Sequence, residues 1–183
     1  GVVYHVVEFK SALFPTSAGK LTIGAAQFPI KIQDTSADNF FNDDFFSGFF
    51  GQNKKVNLRS EPIEINVLPL PTTGKPSDFK GNVGPYQMKA YLDKTAAKTN
   101  DAVTLTVEIS GTGNIKSLSE PGIGKLDGFR KYDTVTSLNV NKKGNLLTGT
   151  KSFKTVLVPQ KVGKLSIPAV TFTYFNPNTK SYL

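Results

Sequence analysis

Residues 153–172 read FKTVLVPQKVGKLSIPAVTF, and residues 9–28 read FKSALFPTSAGKLTIGAAQF. Phe, Lys, Leu, Pro, Gly, Lys, Leu, Ile, Ala and Phe recur in the same order at one constant offset. Each copy has the grammar of a β-hairpin. An apolar run ends at Pro159 or Pro15, which has no N–H to continue a ladder. Gly163 or Gly19 follows and is free to take positive φ in a turn. A Leu-x-Ile stretch then runs back. One unit used twice predicts two copies of one domain type.

Outward from the second copy, the chain alternates in polarity almost everywhere. Val103, Leu105, Val107 and Ile109 are separated by Thr104, Thr106 and Glu108. Phe153, Thr155 and Leu157 face one way, Val156 and Val158 the other, and Val170, Phe172 and Tyr174 continue the pattern. Period-2 runs rich in Val, Thr, Ile and Phe, broken by Gly, Pro and Asn, predict antiparallel strands at sandwich spacing. The fold class expected is all-β: tandem immunoglobulin-like antiparallel β-sandwiches, the first one truncated. That inequality comes from the repeat, because the second copy has long strand-like sequence before it and the first has almost none. The expected division is 1–68 for the later part of a first sandwich, 69–82 for a linker and 83–183 for a complete second sandwich. Pro69, Pro71 and Pro76 predict a semi-rigid, extended spacer.

One stretch departs from alternation. Residues 38–51 read DNFFNDDFFSGFFG, six phenylalanines with three aspartates, inside an expected insertion at 34–58. Phe41, Phe45 and Phe49 are spaced for one face of a short helix. Aromatic side chains interleaved with carboxylates have the composition of an interface anchor. Phe41, Asp43, Asp44, Phe45, Phe46, Phe49 and Phe50 are therefore the candidate partner-binding residues. A second use of these side chains is to cover the open side of the first sandwich.

The chain has 183 residues, no cysteine and a single histidine, His5. Disulfides and thiolate metal sites are excluded. The net charge is +8, but the lysines are scattered and the longest basic runs are pairs such as Lys54-Lys55 and Lys142-Lys143. Scattered lysines on strands read as solvated faces and edge guards, so nucleic acid is not expected as a partner. Gly111-Thr112-Gly113-Asn114 reads as a turn, since no helix pattern follows it to receive a phosphate. Asp127 and Asp133 lack any mark of a paired acid and base, and Asp38, Asp43 and Asp44 match no calcium loop. No organised catalytic constellation is found, and no enzyme activity, cofactor or metal is expected. Tyr86, Tyr91, Phe172 and Tyr174 read as sheet packing, with an aromatic platform for sugar as the other use.

The second domain resembles the BatD family of bacterial aerotolerance operons. The residues carrying this are Ala90–Thr95, Asn100–Val107, Ile109–Lys116, Asp127-Gly128-Phe129, Tyr132-Asp133, and the Pro159–Pro168 stretch leading to Phe172–Pro177. Ser60–Ile63, the run to Pro71 and the Phe/Asp insertion also look like the family's first domain. The resemblance implies an exported protein with tandem sandwiches in the periplasm and a membrane anchor outside this fragment. It implies von Willebrand factor A-type membrane proteins of the same system as partners, and a place in aerotolerance and envelope stress. The family provides no catalytic residues to carry over. The function expected is a non-catalytic envelope protein-interaction scaffold, with a glycan- or ligand-binding sandwich as the alternative.

Overall fold

The computed structural model of the chain describes residues 6–33 and 53–183. It is built of antiparallel strands, as the alternation predicts. The chain divides into two compact units: Pro15–Leu70, and Pro71–Leu183 together with the stretch up to Phe14.

In the first unit, β1 (Gly19–Ile23) pairs with β4 (Ile63–Val67), and β2 (Gln27–Gln33) pairs with β3 (Asn53–Arg59). Residues 53–58, expected within the insertion, thus form most of β3. Where the two ladders meet, Ala26 and Ser60 are tied twice. The Ala26 N–H donates to the Ser60 hydroxyl at 2.9 Å, and the Ser60 N–H donates to the Ala26 carbonyl at 2.9 Å.

The second unit holds a four-stranded sheet in the order β5-β6-β9-β8: β5 (Tyr86–Leu92), β6 (Val103–Thr112), β9 (Leu146–Pro159) and β8 (Phe129–Lys143). Two short ladders oppose it. β7 (Gly122–Ile123) pairs with β10 (Val170–Thr171), and β11 (Phe175–Asn176) pairs with β12 (Ser181–Tyr182). The alternation of β6 and β9 decides which side is core. Val103, Leu105, Val107 and Ile109 are buried, as are Phe153, Thr155 and Leu157. Ile123, Ile167, Val170, Phe172 and Tyr174 pack onto them from the opposing layer. All the buried apolar residues of the described chain lie between Tyr86 and Phe175.

The expected hairpin does not form a ladder in either copy of the repeat. β9 is bonded along its length by β6 on one side and β8 on the other. The chain returning after Pro159 therefore finds no free edge on β9. It runs unpaired through Lys164–Ala169 and crosses to the opposing layer, where Val170 and Thr171 pair with β7. In the first copy the returning strand, β1, forms instead with β4, and residues 9–15 are not a strand. What the copies share is the turn glycine, with φ +115° at Gly19 and +106° at Gly163.

The expected spacer is also more closely held than an extended tether. The Tyr182 hydroxyl donates to the Pro71 carbonyl at 2.7 Å, and the Phe79 ring stands edge-on to Tyr182 at 5.0 Å. Asn82 is buried, and its amide donates to the Thr173 carbonyl at 3.0 Å. Residues 71–82 are therefore part of the second unit. The prolines restrict the backbone as expected, and the aromatic and amide side chains between and after them add anchors.

Candidate functional site

Two features of the second unit present chemistry to solvent: the edge strand β8 and a cleft at one end of the sheet. The hairpin that carries β8 closes through Gly144-Asn145, with Lys143 opposite Leu146. Gly144 has φ +60° while Asn145 has negative φ, the pattern of a two-residue II′ turn that needs glycine first. This tight turn lets β8 run 15 residues along β9.

β8 is an outer strand of its sheet. Edge strands usually carry bulges, charges or prolines that discourage further pairing. Here the guards are at the ends. The register shifts between Lys131 and Thr134, so Tyr132 and Asp133 together face Val156 as a bulge. The guanidinium of Arg130 lies 5.7 Å from the Tyr132 ring centre, and Lys142-Lys143 close the far end. Between them Thr134–Asn141 reads TVTSLNVN, with neither charge nor proline. Val135 is 69% exposed on the outer face. Leu138 and Val140 share the register face of Phe153 and Lys151, yet both are exposed.

Near its bulged end β8 is fixed by polar contacts. The Thr134 hydroxyl donates to a Glu120 carboxylate oxygen at 2.9 Å and lies 2.8 Å from the Thr155 hydroxyl. The Lys131 ammonium reaches the same Glu120 oxygen at 3.4 Å. These contacts hold the strand in place while leaving its outer edge open.

The cleft has a volume of about 670 Å³ and lies where β5 and β9 end and β6 and β8 begin. Leu92, Val103, Phe129, Pro159, Leu165 and Ile167 provide its apolar lining. Lys94 and Lys98 stand on one wall, in the β5–β6 loop, and Lys161 and Lys164 on the other, in the turn after β9. No carboxylate is among the lining residues. The acids nearest in sequence are engaged elsewhere. Asp93 accepts the Thr104 N–H at 2.9 Å, which holds its carboxyl below the usual range, aided by the Lys94 charge. Asp101 accepts the Lys98 N–H at 3.2 Å, and Asp127 pairs with Lys125 at 2.9 Å. Among the described residues none of the four cleft lysines has a carboxylate partner within 4.0 Å.

The residues singled out from sequence fare differently. Phe41, Asp43, Asp44, Phe45, Phe46, Phe49 and Phe50, with His5, lie outside the described residues. Asp127 and Asp133 are not brought together: one pairs with Lys125, the other sits in the β8 bulge. Gly111-Thr112-Gly113-Asn114 ends β6 and leads into a single 3-10 turn at Ile115–Ser117. Tyr86 is buried, Phe172 and Tyr174 are half-buried and stacked at 5.7 Å, and Tyr91 is exposed. Sequence reasoning missed the lysine cleft because its two pairs are far apart along the chain. The available signal was that each pair follows a strand end, at Leu92 and at Pro159.

Among the described residues no helix is long and apolar enough to cross a membrane, and no group of His, Cys, Asp or Glu is arranged to hold a metal ion. Residues 90–182, just over half of the chain, match the family model described as the BatD DUF11 like domain. The match begins within β5 and ends in β12, so it takes in the rest of the sheet, the opposing ladders, β8 and the cleft. No curated protein and no solved structure matches the chain.

Proposed function

The chain belongs to the BatD family, and from that premise we propose that it is a non-catalytic protein-interaction scaffold of an aerotolerance system, working in the periplasm. The observation that carries the reading is the open edge of β8. Eight residues without charge or proline, flanked by guarded ends, are built to accept an added strand. Main-chain hydrogen bonds supply affinity in that mode, and the exposed Val135, Leu138 and Val140 supply side-chain contacts. Left uncovered, such a strand is an aggregation hazard. A partner that adds a strand removes it.

The partner class is an A-type membrane protein of the same system. The Phe/Asp stretch is a second contact to such a protein, with Asp43 or Asp44 offering a carboxylate oxygen to a partner-bound magnesium ion. Binding that is insensitive to chelator, and to Asp43→Asn with Asp44→Asn, would remove this second contact and leave the first.

The test of the first contact uses neighbouring prolines. Successive N–H groups of an antiparallel edge strand point alternately to the partner strand and outward. Of Thr136→Pro and Ser137→Pro, one therefore disturbs the β9 ladder and the other removes only an outward donor. The variant that keeps its melting temperature is expected to lose partner binding by about tenfold or more. Unchanged binding in that variant would exclude strand addition at β8.

A further inference from the structure

The cleft between the β5–β6 loop and the turn after β9 has a use that β8 does not supply. Four lysines line one open space with an apolar floor, and no carboxylate-bearing residue lines it. Like charges gathered this way repel one another and raise the local positive potential. The nearby acids relieve them only in part, through the pull between Asp93 and Lys94. Asp93 accepts the Thr104 N–H of β6, Asp101 accepts the Lys98 N–H of its own loop, and Asp127 is paired with Lys125. The loop is built to hold its lysines out. Asn100 takes φ +68°, its N–H donates to the Pro159 carbonyl at 3.0 Å, and the Asp93 N–H donates to the Thr104 carbonyl at 3.1 Å. The opposite wall turns on Gly163, and the Gln160 N–H donates to the Gly128 carbonyl at 2.8 Å. Both walls are thus tied by backbone bonds to the strand ends beneath them, while their side chains are free to meet a ligand.

We propose that this cleft binds an acidic, partly apolar peptide segment of a partner protein. The charge calls for an anion, and the floor of Leu92, Phe129, Leu165 and Ile167 calls for apolar side chains on the same ligand. An extended peptide meets both demands, because its alternate residues point to opposite sides. Carboxylates then reach the lysine walls while apolar residues lie on the floor. A small inorganic anion would gain only exposed, solvent-screened charge contacts. The net charge of +8 adds long-range attraction for any acidic partner. The proposal rests on the reading of the chain as a protein-binding module, but not on the open edge of β8 at Thr134–Asn141, which is a separate surface.

The probe is a fluorescein-labelled decapeptide of alternating Glu and Leu, titrated with the full chain and followed by fluorescence anisotropy. Its controls are the Gln–Leu and Glu–Ser peptides and inorganic phosphate as competitor. The Glu–Leu peptide should bind, and raising the salt to about 0.3 M should weaken it. Lys94→Gln with Lys98→Gln, and Lys161→Gln with Lys164→Gln, should each weaken it severalfold, and the four together by about tenfold or more. All these side chains are exposed, so the variants should melt with the native chain. Val162→Ser, at an exposed cleft position, tests the apolar contribution without touching the core. The proline variant of β8 that keeps its melting temperature should bind the peptide normally. No binding by the native chain up to ~1 mM, or equal binding by the four-lysine variant, overturns the proposal. Glu–Ser peptide or phosphate competing as well as Glu–Leu overturns it in favour of a plain anion site. Peptide binding lost only in the β8 variant overturns it and returns the peptide to the strand edge.

Discussion

The Lys151 ammonium donates to the Leu118 carbonyl at 2.6 Å, reaching from the inner face of β9 to the chain leaving the 3-10 turn. It also donates to the Lys116 carbonyl at 2.9 Å and lies 5.5 Å from the Phe153 ring centre. A lysine on a core register survives here because its stem packs and its tip caps two carbonyls. Hydrogen bonds to charged groups contribute about 1.5–3 kcal/mol, and partial solvent exposure reduces this. Lys151→Met is expected to destabilise the chain by about 1–2 kcal/mol. Urea unfolding checks it, and an unchanged midpoint would mean that the two carbonyls are satisfied without the ammonium.

Tyr86 lies in a slot cut by glycines. A Cβ at Gly111 would collide with the Pro85 carbonyl and come within 2.7 Å of the Tyr86 ring. One at Gly84, where φ is +149°, would come as near, and one at Gly113 would lie 2.9 Å from the Tyr86 hydroxyl. That hydroxyl donates to the Val83 carbonyl at 2.9 Å. Gly111→Ala should therefore cost about 1–3 kcal/mol through overpacking. Tyr86→Phe, which leaves the slot filled, should cost only about 0.5–1.5 kcal/mol. The order of the two melting temperatures decides the point; a milder Gly111→Ala would mean that the slot can open.

Among the described residues two groups have shifted pKa values that bear on the pH dependence of stability. Asp93 is held below its ordinary pKa by the Thr104 N–H, so it favours folding above the usual carboxylate range. That contribution is lost as the pH falls through the depressed value. Burial raises the pKa of Tyr86. Its neutral form favours folding below the ordinary tyrosine value, and this is lost as the pH rises through the raised one. Urea midpoints should be nearly flat over roughly pH 6 to 9 and fall on both sides. Asp93→Asn should flatten the acid limb and Tyr86→Phe the alkaline one. Limbs unaffected by these changes would assign the dependence to other groups.

The uncharged stretch of β8 should make the isolated chain self-associate with rising concentration. Val135→Lys places a charge on its outer face, clear of the core. Light scattering should register less association for that variant, at an unchanged melting temperature. Equal scattering would move the sticky surface elsewhere.

How far the sequence could be read depended on whether a feature was local. The alternation through Val103–Ile109 and Phe153–Leu157 gave strand identity and the core-facing side, because burial follows every second residue. The repeat gave Gly19 and Gly163 as turn points. It did not give pairing, because whether the chain after Pro159 can zip to β9 depends on β6 and β8 occupying both edges. Pro69–Pro76 read as a spacer because nothing in those residues reveals Tyr182 more than a hundred positions away. The edge position of β8 was hidden for the same reason. The cleft lysines come together only when the ends of β5 and β9 do. The candidate partner residues at 41–50 were read from composition alone.

Hydrogen exchange of the chain, alone and bound to the proposed A-type membrane protein, measures directly whether β8 is the docking edge. Amides of Thr134–Asn141 that point outward should exchange readily in the free chain and become protected in the complex. A complex that forms with those amides still exchanging as in the free chain would contradict strand addition at β8.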